Sequence, residues 1–328
     1  MNRKKCLLFI VILACILCVS CKSEELVVSA ELDPKLVEQQ QVDAMADKTT
    51  DEYGKTGLDY FHEATDLLDN KSYEEAIKKY EQAIKVNPKS SVFYRCKGDA
   101  LLMLRRYEEA ALSYDKAAEL YPTSNMCYSS EALVYQLAGD FTKAFVNYSK
   151  ALEITNKYPS DDNNGRLNRI YFGIGLCNLM SQEYEKAIEF MDKALELDPK
   201  MLAGYSYRAI AYMNLSKYED GIKSCDDGLT IYPQFGLAYS TKGMIYTRMG
   251  KPDDAFKQYD KAIELKVEEP SLYYNRAITY MTINKPKECL EDLKKAVSIQ
   301  PELVYQIREN ELFRELNAYE EFKQLISK

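Results

Sequence analysis

Apolar and polar positions divide the chain into four stretches. Leu7 to Val19 is an unbroken apolar run of 13 residues behind Arg3, Lys4 and Lys5. Lys22 to Thr56 is rich in Ser, Glu, Gln, Asp and Lys with only scattered apolar residues, which predicts a solvated spacer. From Gly57 the apolar residues settle into helical spacing, and the pattern recurs every 34 residues. Beyond residue 303, Leu312, Phe313, Leu316, Tyr319, Phe322, Leu325 and Ile326 are spaced for short amphipathic helices.

With Gly57 as position 1, seven blocks cover 57–90, 91–124, 125–158, 168–201, 202–235, 236–269 and 270–303, with one insertion at 159–167. Position 4 is Tyr in every block: Tyr60, Tyr94, Tyr128, Tyr171, Tyr205, Tyr239 and Tyr273. Position 8 is always Ala or Gly, and positions 20 and 27 are Ala or Gly except at Cys289. Position 24 is mostly bulky, as in Tyr80, Tyr114, Tyr148 and Tyr259, and position 32 is Pro in five blocks.

This spacing predicts two helices per block. Positions 4, 8 and 11 share one face of the first, and small residues at 20 and 27 flank a bulky 24 on the second. The second helix starts near position 16 or 17, and the proline at 32 ends it. Ser72 with Glu75 reads as a capping box, Asp140 as an N-cap, and Pro252 and Pro286 as first helical residues. Glu74 with Lys78, and Glu75 with Lys79, read as exposed i,i+4 pairs. Gly221 and Gly228 replace Ala in block five, so that helix is the expected hinge.

The pattern resembles the tetratricopeptide repeat, W-x₂-L-G-x₂-Y…A-x₃-F…P over 34 residues. The likeness covers residues 57–303, with Tyr for Trp at position 4 and frequent charge at position 7 (Glu63, Lys97, Glu131, Lys242). It implies an all-α fold: a right-handed α-solenoid of seven helix-turn-helix units, closed by a cap at 304–328, with an extended concave surface. In that family, positions 2, 5, 9, 12 and 13 of the first helix line the groove. Here they supply an apolar, methionine-rich set: Leu133, Leu176, Ile210, Met244 and Ile278 at position 9; Leu68, Leu102, Leu179, Met213 and Met281 at position 12; Met103, Leu137 and Met180 at position 13. Two readings stand side by side: an open groove for an apolar helix, an unfolded segment or a lipid-like ligand, or a stripe buried by packing between repeats. The family's clamp for a terminal carboxylate needs Lys at position 5 and Asn at position 9, and neither occurs in any block.

After the first apolar run, Leu17-Cys18-Val19-Ser20-Cys21 resembles a bacterial lipobox. This implies a signal peptide at 1–20, an acylated Cys21 as the mature N-terminus and a tether at 21–56. Two acyl chains, at about 0.8 kcal/mol per buried CH₂, anchor firmly where one is marginal. The run is shorter than the ~20 residues of a bilayer span. Ordinary cleavage after Val28-Ser29-Ala30, or a short uncleaved anchor, are the alternatives.

Composition narrows the chemistry. The net charge of −8, falling to −11 when Arg3, Lys4 and Lys5 leave with the leader, argues against nucleic acid. A single histidine, His62, excludes a Ser-His-Asp triad elsewhere and any site with two histidine ligands. Cys96, Cys127, Cys177, Cys225 and Cys289 are odd in number and widely spaced, as small core residues are. Cys15, Cys18 and Cys21 lack a fourth ligand for an iron–sulfur cluster, and Gly54-Lys55-Thr56 lacks the first glycine of a phosphate loop. In the insertion, a calcium loop with Gly165 sixth puts Ser160 first and Tyr171 twelfth, where acidic residues are needed.

No cofactor, metal or enzymatic activity is implied. The leading expectation is a membrane-anchored scaffold for protein–protein interaction in a bacterial envelope complex, facing the periplasm or exterior. The alternative is a delivery lipoprotein that holds a small apolar molecule in the solenoid and partners a transporter.

Overall fold

The computed structural model describes residues 50–158, 164–265 and 269–327. The leader, Cys21 and most of the spacer therefore lie outside the described residues, as does the start of the insertion with its calcium-loop candidate.

Seven helical hairpins follow one another. They are α1 (Gly57–Asp69) with α2 (Tyr73–Val86), α3 (Ser91–Met103) with α4 (Tyr107–Leu120), α5 (Asn125–Leu137) with α6 (Phe141–Lys157), and α7 (Asn164–Met180) with α8 (Tyr184–Leu197). The rest are α9 (Leu202–Asn214) with α10 (Tyr218–Ile231), α11 (Gly236–Arg248) with α12 (Pro252–Glu264), and α13 (Pro270–Thr282) with α14 (Pro286–Ile299). Every first helix ends at position 13 and every second helix begins at position 17, so the fold is the stack of helix-turn-helix units that the period implies. Among the described residues the only extended pairing is an isolated Thr50–Thr56 bridge. The chain divides into two compact units, with the boundary between Cys177 and Asn178 inside α7.

The turn between paired helices has one conformation in all seven repeats. Position 15 is left-handed throughout: Lys71, Arg105, Gly139, Gln182, Ser216, Gly250 and Asn284 all have φ between 56° and 82°. The next amide closes a six-residue loop onto the first helix, as in Ser72 N to Leu67 O at 2.9 Å and Lys285 N to Tyr280 O at 2.9 Å. This is the hydrogen-bond pattern of a Schellman cap, which satisfies carbonyls that the helix end leaves open. Nothing in the reading of apolar spacing reveals it, because only two of the seven residues are Gly.

The interlock of bulky and small residues is built as expected, with position 24 as the knob. Tyr80, Tyr114, Tyr148, Met191, Cys225, Tyr259 and Leu293 are all buried, as are the Ala or Gly residues at position 8. A Cβ on Gly98 would stand 2.8 Å from the Tyr114 ring, and one on Gly243 would stand 2.5 Å from the Tyr259 ring. Position 4 sits further out. Tyr205 and Tyr239 donate their hydroxyls to the carbonyls of Pro199 and Pro233, the position-32 prolines of the preceding repeats, each at 3.2 Å. Gly221 and Gly228 lie where α10 closes onto α9: a Cβ would meet Ala209 O at 3.1 Å and Tyr205 Cβ at 3.2 Å respectively.

Several local expectations need correction. Ser72 makes no side-chain cap bond; the capping box belongs to Thr56 and Asp59 at the start of α1. Asp140 does cap α6, accepting from Lys143 N at 3.0 Å, and Pro252 and Pro286 do open their helices. Lys79 pairs with Glu63 on α1 at 2.6 Å, so it serves the hairpin and not its own helix face. Residues 164–167 belong to α7, and α6 and α7 each run to 17 residues, so part of the insertion lengthens helices. The last residues of the spacer are also folded. Asp51 accepts from the Tyr60 hydroxyl and from two backbone amides, and Lys55 pairs with Glu63.

The C-terminal cap is α15 (Leu303–Glu309), a 3₁₀ segment at Glu311–Ala318 and α16 (Glu320–Ile326). Phe313, Leu316, Phe322 and Leu325 are buried there. Phe313 meets Tyr274 edge to face at 5.7 Å, and Asn310 donates to the Tyr274 hydroxyl at 2.9 Å. The cap thereby covers an apolar end of the last hairpin that would otherwise face water.

Candidate functional site

The thirteen groove candidates fall into two groups. Leu68, Leu102, Leu133, Leu176, Leu179, Ile210, Met213, Met244 and Ile278 are buried, whereas Met103, Leu137, Met180 and Met281 are half-buried. The cause is packing around the first helices. In the second unit, α9 rests on α10, on the preceding α8 and on the next first helix, α11, and α11 likewise meets α13. At position 9 and at all of the position-12 candidates but Met281, those side chains are buried. What stays accessible is position 13, at the C-terminal end of the first helices, together with Met281.

Repeat two departs from this pattern. Its positions 5 and 9 are Arg95 and Asp99, one helical turn apart and both buried. Arg95 Nη1 donates to Asp99 Oδ2 at 2.9 Å, Arg95 Nη2 donates to Cys96 Sγ at 3.3 Å, and the Tyr114 hydroxyl donates to Asp99 Oδ1 at 2.6 Å. Burial pushes the Asp99 carboxyl above its ordinary range, while Arg95 and Tyr114 hold it down. Breaking such a pair strands a buried charge, so it specifies the local packing more than it adds stability. Opposite charges four apart within an apolar stripe were the available signal.

A second set of charges joins successive repeats. Position 7 on the first helix reaches position 25 on the preceding repeat's second helix: Lys97 to Glu81 at 2.7 Å, Arg208 to Asp192 at 2.5 Å, Lys242 to Asp226 at 2.6 Å and Arg276 to Asp260 at 3.0 Å. Arg208 also reaches Asp227, and Arg276 makes a two-pronged pair with buried Asp292 at 2.8 Å. The family prefers Leu at position 7, and these departures are structural links.

His62 is exposed on α1, and its ring meets Phe61 edge to face. Burial pushes the Cys96 and Cys177 thiols up to about 12 and raises Cys127 as well, so none is a ready thiolate. Among the described residues no group of His, Cys, Asp or Glu side chains is placed to hold a metal ion. No described helix is long and apolar enough to cross a membrane.

Apolar side chains do reach solvent on the second helices of repeats two and three. Leu112 on α4 and Val146 on α6 both occupy position 22 and are 69% and 61% exposed, with Phe145 beside Val146. The other repeats carry Lys or Glu at that position (Lys78, Glu189, Lys223, Lys257, Glu291).

Comparison with known proteins follows the same period. Three family profiles, each described as tetratricopeptide repeat, match residues 61–125, 128–200, and 237–266 with 270–303. No curated protein matches the chain significantly. A tetratricopeptide repeat protein from Parabacteroides merdae superposes with a TM-score of 0.66 at 19% identity, over 83% of this chain and 97% of its own. Cut9, from the Cut9–Hcn1 hetero-tetramer of the APC/C, gives 0.56 at 13% identity over 92% of this chain and 58% of that chain. PilW, a type IV pilus biogenesis factor, gives 0.55 at 14% identity over 65% of this chain and 93% of its own. At these identities the likeness is one of fold.

Proposed function

Because this chain belongs to the tetratricopeptide repeat family, we propose that it is a lipid-anchored scaffold that binds protein partners in the bacterial cell envelope. The observation that carries the reading is the stack of hairpins following a leader that ends in Leu17-Cys18-Val19-Ser20-Cys21. Acylation at Cys21 holds the N-terminus at a membrane, the polar spacer lets the repeats stand clear, and the repeats offer helix faces to a partner. The accessible apolar residues suit a protein surface: Met103, Leu137, Met180 and Met281 at helix ends, and Leu112, Phe145 and Val146 on second helices. Burial of the position-9 side chains weighs against the alternative, a small apolar molecule held by that stripe.

The test has two parts. Full-length protein expressed in a bacterial host should incorporate labelled palmitate and sediment with membranes, and Cys21→Ser should do neither. Crosslinking in native cells followed by affinity capture should then recover a stoichiometric protein. Recovery of a lipid in place of a protein would overturn the scaffold reading.

A further inference from the structure

Four junctions between repeats carry a cation at position 7 against a carboxylate at position 25, with separations from 2.5 to 3.0 Å. The junction between repeats two and three breaks the rule. Its position 7 is Glu131 on α5, and the position 25 it faces is Asp115 on α4. Glu131 is 7% exposed and feels the charge of exposed Asp115, so this junction sets two carboxylates where every other charged junction holds an ion pair. We propose that this junction is a pH-sensitive hinge, closed while Glu131 is protonated and loosened when it ionises against Asp115.

The groups around Glu131 make it a single-proton device. From α4 it faces Asp115, and on α5 it lies beside Tyr128 and Tyr135. The buried Cys127 thiol also senses it, and on α3 Arg95 and Asp99 are bound to each other. From α6 it faces Asn147 and Lys143, and the Lys143 ammonium is engaged with Asp140 at 3.3 Å and over the Tyr135 ring at 4.9 Å. Burial first, and Asp115 second, push it up to about 7 from an ordinary 4.5, against the opposing pull of Tyr135, Asn147 and Lys143.

The direction follows from linkage. The closed junction binds a proton more tightly than the open one, so closure is favoured fully below about pH 4.5 and loses that advantage as pH rises through about 7. Local opening is the expected response, since α4 and α5 otherwise meet through the same small and bulky residues as other repeats. With only part of the shift relieved on opening, the opening equilibrium rises about tenfold or more between pH 5 and pH 8. The hinge depends on this junction alone and is independent of where the protein resides.

Hydrogen–deuterium exchange on the full mature chain tests it, with rates corrected for intrinsic exchange at each pH. Amides of α4 and α5 should lose protection between pH 5.5 and pH 8 while those of α11 and α12 hold theirs, and Glu131→Gln should keep α4 and α5 protected throughout. Equal pH dependence in the wild type and Glu131→Gln would overturn the proposal. Should Glu131→Gln not fold, Asp115→Asn, at an exposed position, serves in its place and should shrink the loss of protection between pH 5.5 and pH 8; an unchanged loss overturns the proposal equally.

Discussion

Repeats two and three, in the first unit, and repeats five to seven, in the second, share one backbone plan but differ in the charges at their junctions. In the second unit, Arg208, Lys242 and Arg276 each reach a carboxylate of the preceding repeat. In the first, Lys97 finds Glu81, but Glu131 meets Asp115. The hairpins are nevertheless built alike, with the same first-helix bounds, the same second-helix start and buried residues throughout positions 8, 20, 24 and 27. The contrast teaches that interlocking of small and bulky residues decides the fold, and that the ion-pair ladder sets how firmly a given junction holds. This agrees with the modest worth of exposed pairs beside the burial of a large aromatic ring.

The largest test of that contrast removes the shared element. Tyr114→Ala and Tyr259→Ala should each cost about 3–5 kcal/mol in urea unfolding, because both rings are fully buried against Gly at position 8. Unequal losses would break the claim that both regions rest on one lattice. Next, Arg276→Ala should cost about 3 kcal/mol by leaving Asp292 buried without its partner, whereas Lys97→Ala should cost under about 1 kcal/mol because Glu81 is exposed. Thermal denaturation of the two variants measures the difference directly.

The left-handed turns give a smaller effect, expected alike in both units. Gly250→Ala should lose about 1 kcal/mol, and Arg105→Gly should gain about 0.5–1 kcal/mol, since only Gly adopts this conformation without strain.

Much of this architecture was legible because the repeat is short and its signals are local. The recurrence of Tyr at position 4, small residues at 8, 20 and 27, and Pro at 32 marks helix bounds within each 34-residue block, and the observed bounds keep to it. Legibility ended where several local solutions compete for one group. Lys79 can pair with Glu75 on its own helix or with Glu63 across the hairpin, and the second geometry won. Ser72 has the sequence of a cap, yet the Schellman loop through Lys71 already sets the entry to α2. The candidate site was the least legible part, because position 9 on a first helix is surface or core depending on how closely its neighbours stand.

The sequence by itself determined the helical hairpin, its period, the succession of seven and the need for an apolar C-terminal cap, since each follows from side-chain spacing along one or two helices. Tertiary structure alone decided which of those side chains a partner can touch. Residues sixteen apart in the chain, such as Lys242 and Asp226 or Glu131 and Asp115, become neighbours only when one repeat docks on the next. The same docking closes over Leu133, Ile210 and Met244 and leaves Met103 and Met281 within reach of solvent. Burial is a property of the packed array, and no single repeat carries enough neighbours to set it.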